Sequence, residues 1–292
     1  MKNLQKLLAI FFLLFEPVMT IDASPIQIRH KDIQLNGELN ALNQTGDTIY
    51  LLVHGTWGHG KMEIISGIQS RLEELGENSL ALTLSLGINN RQGFMGCSVP
   101  IVAQHGEAVE EISKWVEYLS NTWPKIILVG HSRGGNQVAL YNNAAVPKQT
   151  ALDKLVLIAP MTWSKVETEL DYKKRFKQDL RGLLTKARTY PDDPLFAGIV
   201  NCDDIAVSAE SFLSYYSITP NKNTPELLVS NHRPVLVFLG SEDGLSQNYL
   251  DQKARFKTAS QVRNISIDGA GHFFRDLYLD ELVESMVDWV NE

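Results

Sequence analysis

The sequence predicts an α/β fold in which helices flank a mostly parallel sheet, and three observations support this. Short apolar runs alternate with stretches of helical periodicity along most of the chain, as they do in proteins with parallel sheets. The run at 125–129 (KIILV) is apolar after its first residue, which suits a central strand buried on both faces. The 292 residues, 44% of them hydrophobic, are enough for one large domain.

Strands and helices alternate regularly as far as about residue 160. Strands are predicted at 48–53, 79–84, 125–129 and 154–158, and again at 234–239 and 262–267. Helices, recognised by apolar residues three and four apart, are predicted at 62–75, 107–119, 136–145 and 279–290. Residues 160–230 interrupt this rhythm because they are polar, irregular and helical in pattern. They are expected to form an insertion in the sheet.

The overall charge and the missing motifs exclude several function classes. The net charge is −7, whereas a general nucleic-acid binder needs a basic surface to neutralise phosphates. The sequence contains no metal-ligand spacing, phosphate-binding loop or nucleotide motif. No metal and no cofactor are therefore expected.

The first 23 residues have the pattern of a secretory signal. Lys2 and Lys6 precede an apolar run at 7–15, which is too short for the roughly 20 residues that a membrane helix needs. Cleavage is expected after Ala23, which would leave a mature chain of 24–292 without an integral membrane segment. A buried N-terminal helix and an uncleaved anchor are the alternatives.

The segment 130–134 (GHSRG) has the form G-x-S-x-G and lies between a predicted strand and a predicted helix. Nucleophilic catalysis needs a serine hydroxyl that is exposed to both a base and a carbonyl carbon. A sharp strand-to-helix turn presents Ser132 in this way, and the small residues on either side relieve crowding of the backbone. Ser132 is the predicted nucleophile; the alternative is an ordinary serine in a glycine-rich turn.

Four stretches together resemble the serine hydrolases of the α/β-hydrolase superfamily, and most of all its exported bacterial members. They are HGTWGHG at 54–60, GHSRGG at 130–135, GSEDGL at 240–245 and GAGHFF at 269–274. The resemblance runs from about residue 46 to the C-terminus. It implies an α/β-hydrolase fold, with a mostly parallel eight-stranded sheet flanked by helices. It also implies a helical lid inserted after the strand that follows the elbow, where residues 160–230 lie.

The resemblance also implies a catalytic triad in the order nucleophile, acid, histidine. Ser132, Asp243 and His272 occur in that order, and Asp243 and His272 each follow a predicted strand. His272 would take the proton of Ser132, and Asp243 would orient His272. Glu242 is the main competitor for the acid, and Asp268 is disfavoured because it is too near His272 along the chain.

Two backbone N–H groups are expected to form an oxyanion hole. One belongs to Arg133, the residue after the nucleophile, and the other to Thr56, with Trp57 as the alternative. The Trp57 side chain is expected either to bind substrate or to pack as a core aromatic. Among the other histidines, His54 and His131 are expected to be structural, and His59 is a candidate for the site mouth.

Seven basic residues are concentrated in the predicted insertion. They are Lys173, Lys174, Arg175, Lys177, Arg181, Lys186 and Arg188. A solvated helix face is the favoured interpretation, and peripheral contact of the lid with anionic lipid is the alternative. The aromatic segment 208–218 is expected either to line an acyl pocket or to complete the hydrophobic core.

The predicted function is hydrolysis of a small-molecule ester or thioester through an acyl-enzyme. A peptidase or amidase on the same triad is the alternative within enzymes. A non-catalytic binding protein is the alternative outside them, although all three triad residues are present.

The two cysteines, Cys97 and Cys202, are expected to form a disulfide that ties the lid to the core, because exported proteins fold in an oxidising space. Two buried free thiols are the alternative.

We predict that the protein is exported to the periplasm or the medium and that its mature N-terminus lies near Ser24. Expression in a bacterial host, fractionation and N-terminal sequencing of the recovered protein would test this. Full-length chain found only in the cytosol would contradict it.

Overall fold

The computed structural model describes residues 23–41, 46–144, 150–163, 165–219, 222–229, 231–253 and 260–292. The predicted signal segment lies outside these ranges apart from Ala23. None of the helices in the described part of the chain is both long enough and apolar enough to cross a membrane.

The described strands alternate with helices along most of the chain. The strands are β1 (Ser24–His30), β2 (Ile33–Asn40), β3 (Thr48–Val53), β4 (Asn78–Thr83), β5 (Lys125–His131), β6 (Leu152–Ile158), β7 (Leu195–Ile199), β8 (Cys202–Val207), β9 (Val235–Gly240) and β10 (Val262–Ile267). The helices are α1 (Glu63–Glu74), α2 (Ala108–Leu119), α3 (Arg133–Asn143), α4 (Lys165–Phe176), α5 (Leu180–Thr189), α6 (Ala209–Tyr216), α7 (Thr224–Leu227), α8 (Gly244–Lys253) and α9 (Leu277–Asn291).

Eight of these strands form one sheet in the order β1-β2-β4-β3-β5-β6-β9-β10. From β4 to β10 neighbouring strands pair in parallel, whereas β2 pairs antiparallel with both β1 and β4. The mostly parallel, eight-stranded sheet that the resemblance implied is therefore confirmed.

Helices cover both faces of the sheet, and each face has its own core. Leu51 of β3 belongs to the core that contains Trp115 of α2 and Val138 of α3. The next residue, Leu52, belongs to the opposite core, with Ile68 of α1 and α9 residues such as Met286. This alternation follows from the period of two in a strand. It explains why the central strands are apolar at nearly every position.

The insertion between β6 and β9 contains a feature that the sequence analysis missed. We expected a helical segment, but β7 and β8 pair antiparallel within it, beside helices α4 to α7. The hairpin joins the rest of the protein through Ile101: its N–H donates to Ala206, and its carbonyl accepts from Ser208, both at 2.9 Å. A third hydrophobic core lies at this junction and includes Trp57 and Phe212.

The sequence analysis also missed β1, β2 and α8. β1 lies at the edge of the sheet, and each of its residues is partly or fully exposed. It therefore has no long apolar run. Helix α8 has few apolar residues and its apolar positions form no clear stripe, so it gives little helical periodicity.

The structure joins Cys97 to Cys202. Their Cα atoms are 5.4 Å apart, within the range that a disulfide requires. Cys97 lies in the exposed loop after β4, and Cys202 is the buried first residue of β8. The bond would therefore tie the insertion to the loop between β4 and α2.

We predict that protein purified from an oxidising compartment contains this disulfide and that the bond stabilises the fold. It would close a loop with a sequence separation of 105, which is worth up to about 5 kcal/mol in the chain-entropy model. Mass mapping of a non-reduced digest should join the two cysteine peptides. A reductant should lower the Tm of the wild type but not of Cys97→Ser, and two alkylatable thiols in the native protein would refute the prediction.

Candidate active site

Ser132 lies at a sharp turn between β5 and α3. Its backbone has φ 55° and ψ −119°, a region that residues other than glycine rarely occupy and that requires support from the surrounding structure. Here the Ser132 N–H donates to the carbonyl of Ile158 at 2.8 Å, and its carbonyl accepts from Met161 at 2.9 Å. The serine is thereby held between the end of β6 and the start of the insertion.

Two glycines make this turn possible. A Cβ at Gly130 would collide with the carbonyl of Gly134, and a Cβ at Gly134 would collide with the carbonyls of Val53 and His54. The packing of α3 against β5 and β3 therefore leaves no space for a side chain at either position. The G-x-S-x-G pattern has a steric cause here.

His272 and Asp243 lie together at the same edge of the sheet. His272 is on the loop after β10, Asp243 is on the loop after β9, and the His272 Nδ1 and Asp243 Oδ1 atoms are 3.2 Å apart. The His272 Nδ1 has no well-aligned hydrogen bond among the described residues, so the two side chains are in close contact without a well-aligned hydrogen bond. The histidine side chain is 23% exposed and the aspartate 6%.

The Asp243 carboxylate is held by its own loop. Oδ2 accepts from the Ser246 N–H at 3.0 Å and from its hydroxyl at 2.7 Å, and Oδ1 accepts from the Leu245 N–H at 3.2 Å. Burial raises the pKa of Asp243, but His272 and these donors outweigh burial, so the pKa lies below its usual value. Glu242 and Asp268 are both exposed, and Asp268 contacts Ser241 instead.

His131 connects the elbow to the His272 loop. Its ring lies 4.8 Å from the ring of His272, and its Nε2–H donates to the His272 carbonyl at 2.9 Å. Burial, with a smaller contribution from His272, lowers the pKa of His131 to about 3. His131 is therefore neutral and fixes the position of the loop that carries His272.

The loop after β3 borders the elbow. A Cβ at Gly55 would lie 3.3 Å from the Ser132 Cβ, so this backbone passes directly beside the serine. Among the backbone hydrogen bonds of the described residues, none uses the N–H of Thr56 or Trp57 as donor. Both remain candidates for the oxyanion hole, together with the N–H of Arg133 in the first turn of α3, where helical N–H groups have no intrahelical acceptor.

The Trp57 side chain packs between the body and the insertion. It is only 4% exposed, and its Nε1–H donates to the Tyr215 hydroxyl at 2.9 Å. Of the two roles expected for it, this geometry favours the core aromatic.

The other motif histidines support the same loop. His54 Nε2 accepts from the Leu84 N–H at 3.0 Å, and its Nδ1–H donates to Gly55. Burial lowers the pKa of His54 to about 3. His59 is partly exposed and its ring contacts Phe94 at 4.5 Å.

His105 is a further buried residue near the elbow. His105 lies between Asn136, whose Oδ1 is 2.9 Å from its Nε2, and the guanidinium of Arg133, 3.4 Å from its Nδ1. The sequence around His105 gives no motif, and only the fold brings it to the elbow.

The basic residues of the insertion lie on α4 and α5 and in the turn between them. All seven are exposed, and Arg181 pairs with Glu169 at 2.9 Å. Three of them, Lys173, Lys177 and Arg181, line a surface groove of about 580 Å³.

Comparisons with known proteins agree with this architecture. The model of the alpha/beta hydrolase family matches residues 50–285, whereas no match was found among curated proteins. Three solved structures show the same fold at low sequence identity. They are Est1E from Butyrivibrio proteoclasticus (17% identity, TM-score 0.62, covering 92% of this chain and 99% of that one), esterase Pf2001 from Pyrococcus furiosus (14%, 0.61, 92% and 91%), and a soluble variant of monoglyceride lipase from Saccharomyces cerevisiae (12%, 0.63, 94% and 97%).

The family match extends over most of the chain, from β3 to α9. It includes the elbow and the loops that carry Asp243 and His272, so this chain belongs to the alpha/beta hydrolase family.

Proposed function

We propose that this protein is a serine hydrolase that cleaves an ester or thioester bond through an acyl-enzyme. The main support is the geometry of the carboxyl edge of the sheet. Ser132 is held at a strained elbow, and a buried Asp243 lies 3.2 Å from His272 on the neighbouring loops.

In the proposed first half-reaction, the Ser132 Oγ attacks the substrate carbonyl carbon while His272 Nε2 takes the hydroxyl proton. The resulting oxyanion accepts hydrogen bonds from the N–H of Arg133 and that of Thr56 or Trp57. Collapse of the tetrahedral intermediate breaks the bond to the alcohol or thiol, which leaves with the proton from His272.

In the second half-reaction, a water molecule gives its proton to His272 and attacks the acyl carbon, and Ser132 is released with its proton restored. Asp243 remains ionised throughout, since its hydrogen bonds hold its pKa low. It stabilises the imidazolium and keeps the proton of neutral His272 on Nδ1.

An ester is preferred to an amide because of the structural neighbours. One is named as an esterase and another as a lipase, and Est1E has also been solved with ferulic acid bound. A peptidase or amidase would use the same three side chains, so the leaving group must be identified by assay. A non-catalytic binding protein would not need the strained serine.

We further propose that the insertion acts as a lid over this edge and that the mature protein is exported. The lid role is supported by the contacts between the insertion and the elbow loops through Met161 and Tyr215. Contact of its basic face with anionic lipid remains the less favoured alternative to a solvated face.

We predict that Ser132 is the only residue labelled by a fluorophosphonate probe and that Ser132→Ala is unlabelled. The wild type should hydrolyse activated esters in a series of increasing acyl length faster than it hydrolyses a panel of aminoacyl anilides. Equal labelling of wild type and Ser132→Ala would show that the nucleophile lies elsewhere, and preferential anilide cleavage would favour the peptidase alternative.

We also predict that Asp243→Asn lowers kcat by about 10⁴-fold, because an asparagine would favour the wrong tautomer of His272. Glu242→Gln is the matched control, and it should have little effect because Glu242 is exposed. Circular dichroism and Tm would verify that both variants fold. If Glu242→Gln proved the more damaging change, the acid would be Glu242.

A further inference from the structure

Arg133 is buried beside the nucleophile without an acidic partner. It is 7% exposed, and among the described residues no carboxylate pairs with it. Buried charges are costly and are normally paired. Burial accordingly lowers the pKa of Arg133, and no carboxylate opposes this effect.

Two other buried cations show how this chain usually satisfies such a group. Arg91 donates to the carbonyls of Leu84, Gly93 and Gly58. Lys222 donates to the carbonyls of Ser214, Tyr215 and Ser217 at the end of α6. Both are satisfied by backbone acceptors.

Arg133 has no such set of acceptors. A guanidinium carries five N–H groups, and within the described residues those of Arg133 reach a hydroxyl and an imidazole. Nε donates to the Thr56 Oγ1 at 3.1 Å, and Nη1 lies 3.4 Å from the His105 Nδ1. Nη2 has no acceptor in the part of the chain that the structure describes.

His105 cannot supply a negative charge or act as a stronger acceptor. The Asn136 amide donates to the Lys222 carbonyl and the Thr224 hydroxyl, which turns its Oδ1 toward His105. The His105 Nε2 must therefore carry a proton, and its Nδ1 is a neutral acceptor. Burial and the charges of Arg133 and Lys222 hold the pKa of His105 well below its usual value.

The remaining neighbours of the guanidinium are aromatic. Its Cζ lies 4.8 Å from the ring of Tyr215 and 5.5 Å from that of Trp163, both in the insertion. Cation–π contacts compensate part of the desolvation, but they leave both N–H groups of Nη2 and the second N–H of Nη1 without an acceptor among the described residues. A planar, two-oxygen acceptor would match those groups.

We propose that the Arg133 guanidinium binds a carboxylate of the substrate, so that the preferred substrate is an ester carrying a free carboxylate near the scissile bond. The inference rests on the proposed hydrolase function. In that function the backbone N–H of Arg133 binds the oxyanion, so the carboxylate lies within about one arginine side chain of the reacting carbonyl. Thr56 supports both ends of this arrangement, through its hydroxyl and as a candidate oxyanion donor.

The test compares pairs of esters in which one member carries a carboxylate and the other carries a carboxamide at the same position. Monomethyl glutarate and methyl glutaramate place the charge on the acyl side, whereas O-butyryl glycolate and O-butyryl glycolamide place it on the alcohol side. In one of the two pairs, the wild-type kcat/KM should be higher for the carboxylate than for the carboxamide by about tenfold or more. The pair that shows this difference identifies whether the carboxylate is bound on the acyl side or on the alcohol side of the ester. A ratio near one for both pairs, with hydrolysis intact, would overturn the inference and leave the hydrolase function standing.

Arg133→Gln should reduce that ratio to about one, and Arg133→Lys should retain part of it. The ratio is the readout because it cancels any loss of oxyanion stabilisation common to both esters. Lys177→Gln removes an exposed charge of the insertion and should leave the ratio unchanged. An equal fall in Lys177→Gln would show general electrostatic attraction instead.

A binding measurement separates this inference from the hydrolase function. In calorimetry, Ser132→Ala should bind the carboxylate ester of at least one of the two pairs more tightly than the uncharged carboxamide ester, and that carboxylate ester should raise its Tm. This experiment needs no turnover and no substitution of Arg133, so it decides the question even if Arg133 variants fail to fold or no ester is cleaved. Equal affinity for the carboxylate and the carboxamide in both pairs would refute the carboxylate site.

Discussion

The close packing of α3 against the ends of β3 and β5 is the constraint on which the rest of the site depends. Gly130 and Gly134 allow the backbone of the helix to approach carbonyls that any side chain would strike. That approach forces Ser132 into a positive φ, and the hydrogen bonds to Ile158 and Met161 hold it there. A strained residue persists only where its surroundings over-determine it. Here the sheet, the helix and the insertion all contribute.

The same packing decides which ionisable groups are charged. His54 and His131 support the loops on either side of the serine, and burial keeps both neutral. Asp243 remains ionised although it is buried, because four donors or charges surround its carboxylate. A charged acid beside a partly exposed His272, with neutral imidazoles behind it, is the electrostatic arrangement that general-base chemistry requires.

The sequence predicts most of the central sheet and the residues at its edge, because these depend on local patterns. Apolar strands buried on both faces and the glycines of the elbow can be recognised directly in the sequence. Asp243 and His272 were selected through the family resemblance, and their 3.2 Å separation is a property of the fold. β1 was missed although Ile26 and Ile28 alternate with polar residues there, a signal for a strand with one buried face.

The hairpin β7–β8 and the surroundings of His105 and Arg133 were beyond such reasoning. They depend on contacts between segments far apart in the sequence: Ile101 with Val207, and Arg133 with Tyr215. A buried, unpaired cation also has no signature in a single sequence, since the order of residues does not show whether a carboxylate lies near the cation in the folded protein. Such a group is recognised only when its neighbours are known.

The insertion and the elbow are therefore coupled through the residues that would recognise the substrate. Tyr215 of α6 accepts a hydrogen bond from Trp57 and faces the Arg133 guanidinium, and Cys202 anchors β8 to the loop at Cys97. Movement of α6 away from the elbow would expose the guanidinium to water and weaken its attraction for an anion. Return of α6 would desolvate the cation and strengthen that attraction, because charges interact more strongly at low dielectric. A bound carboxylate would in turn favour the closed position, since it supplies the counter-charge that burial of Arg133 otherwise lacks.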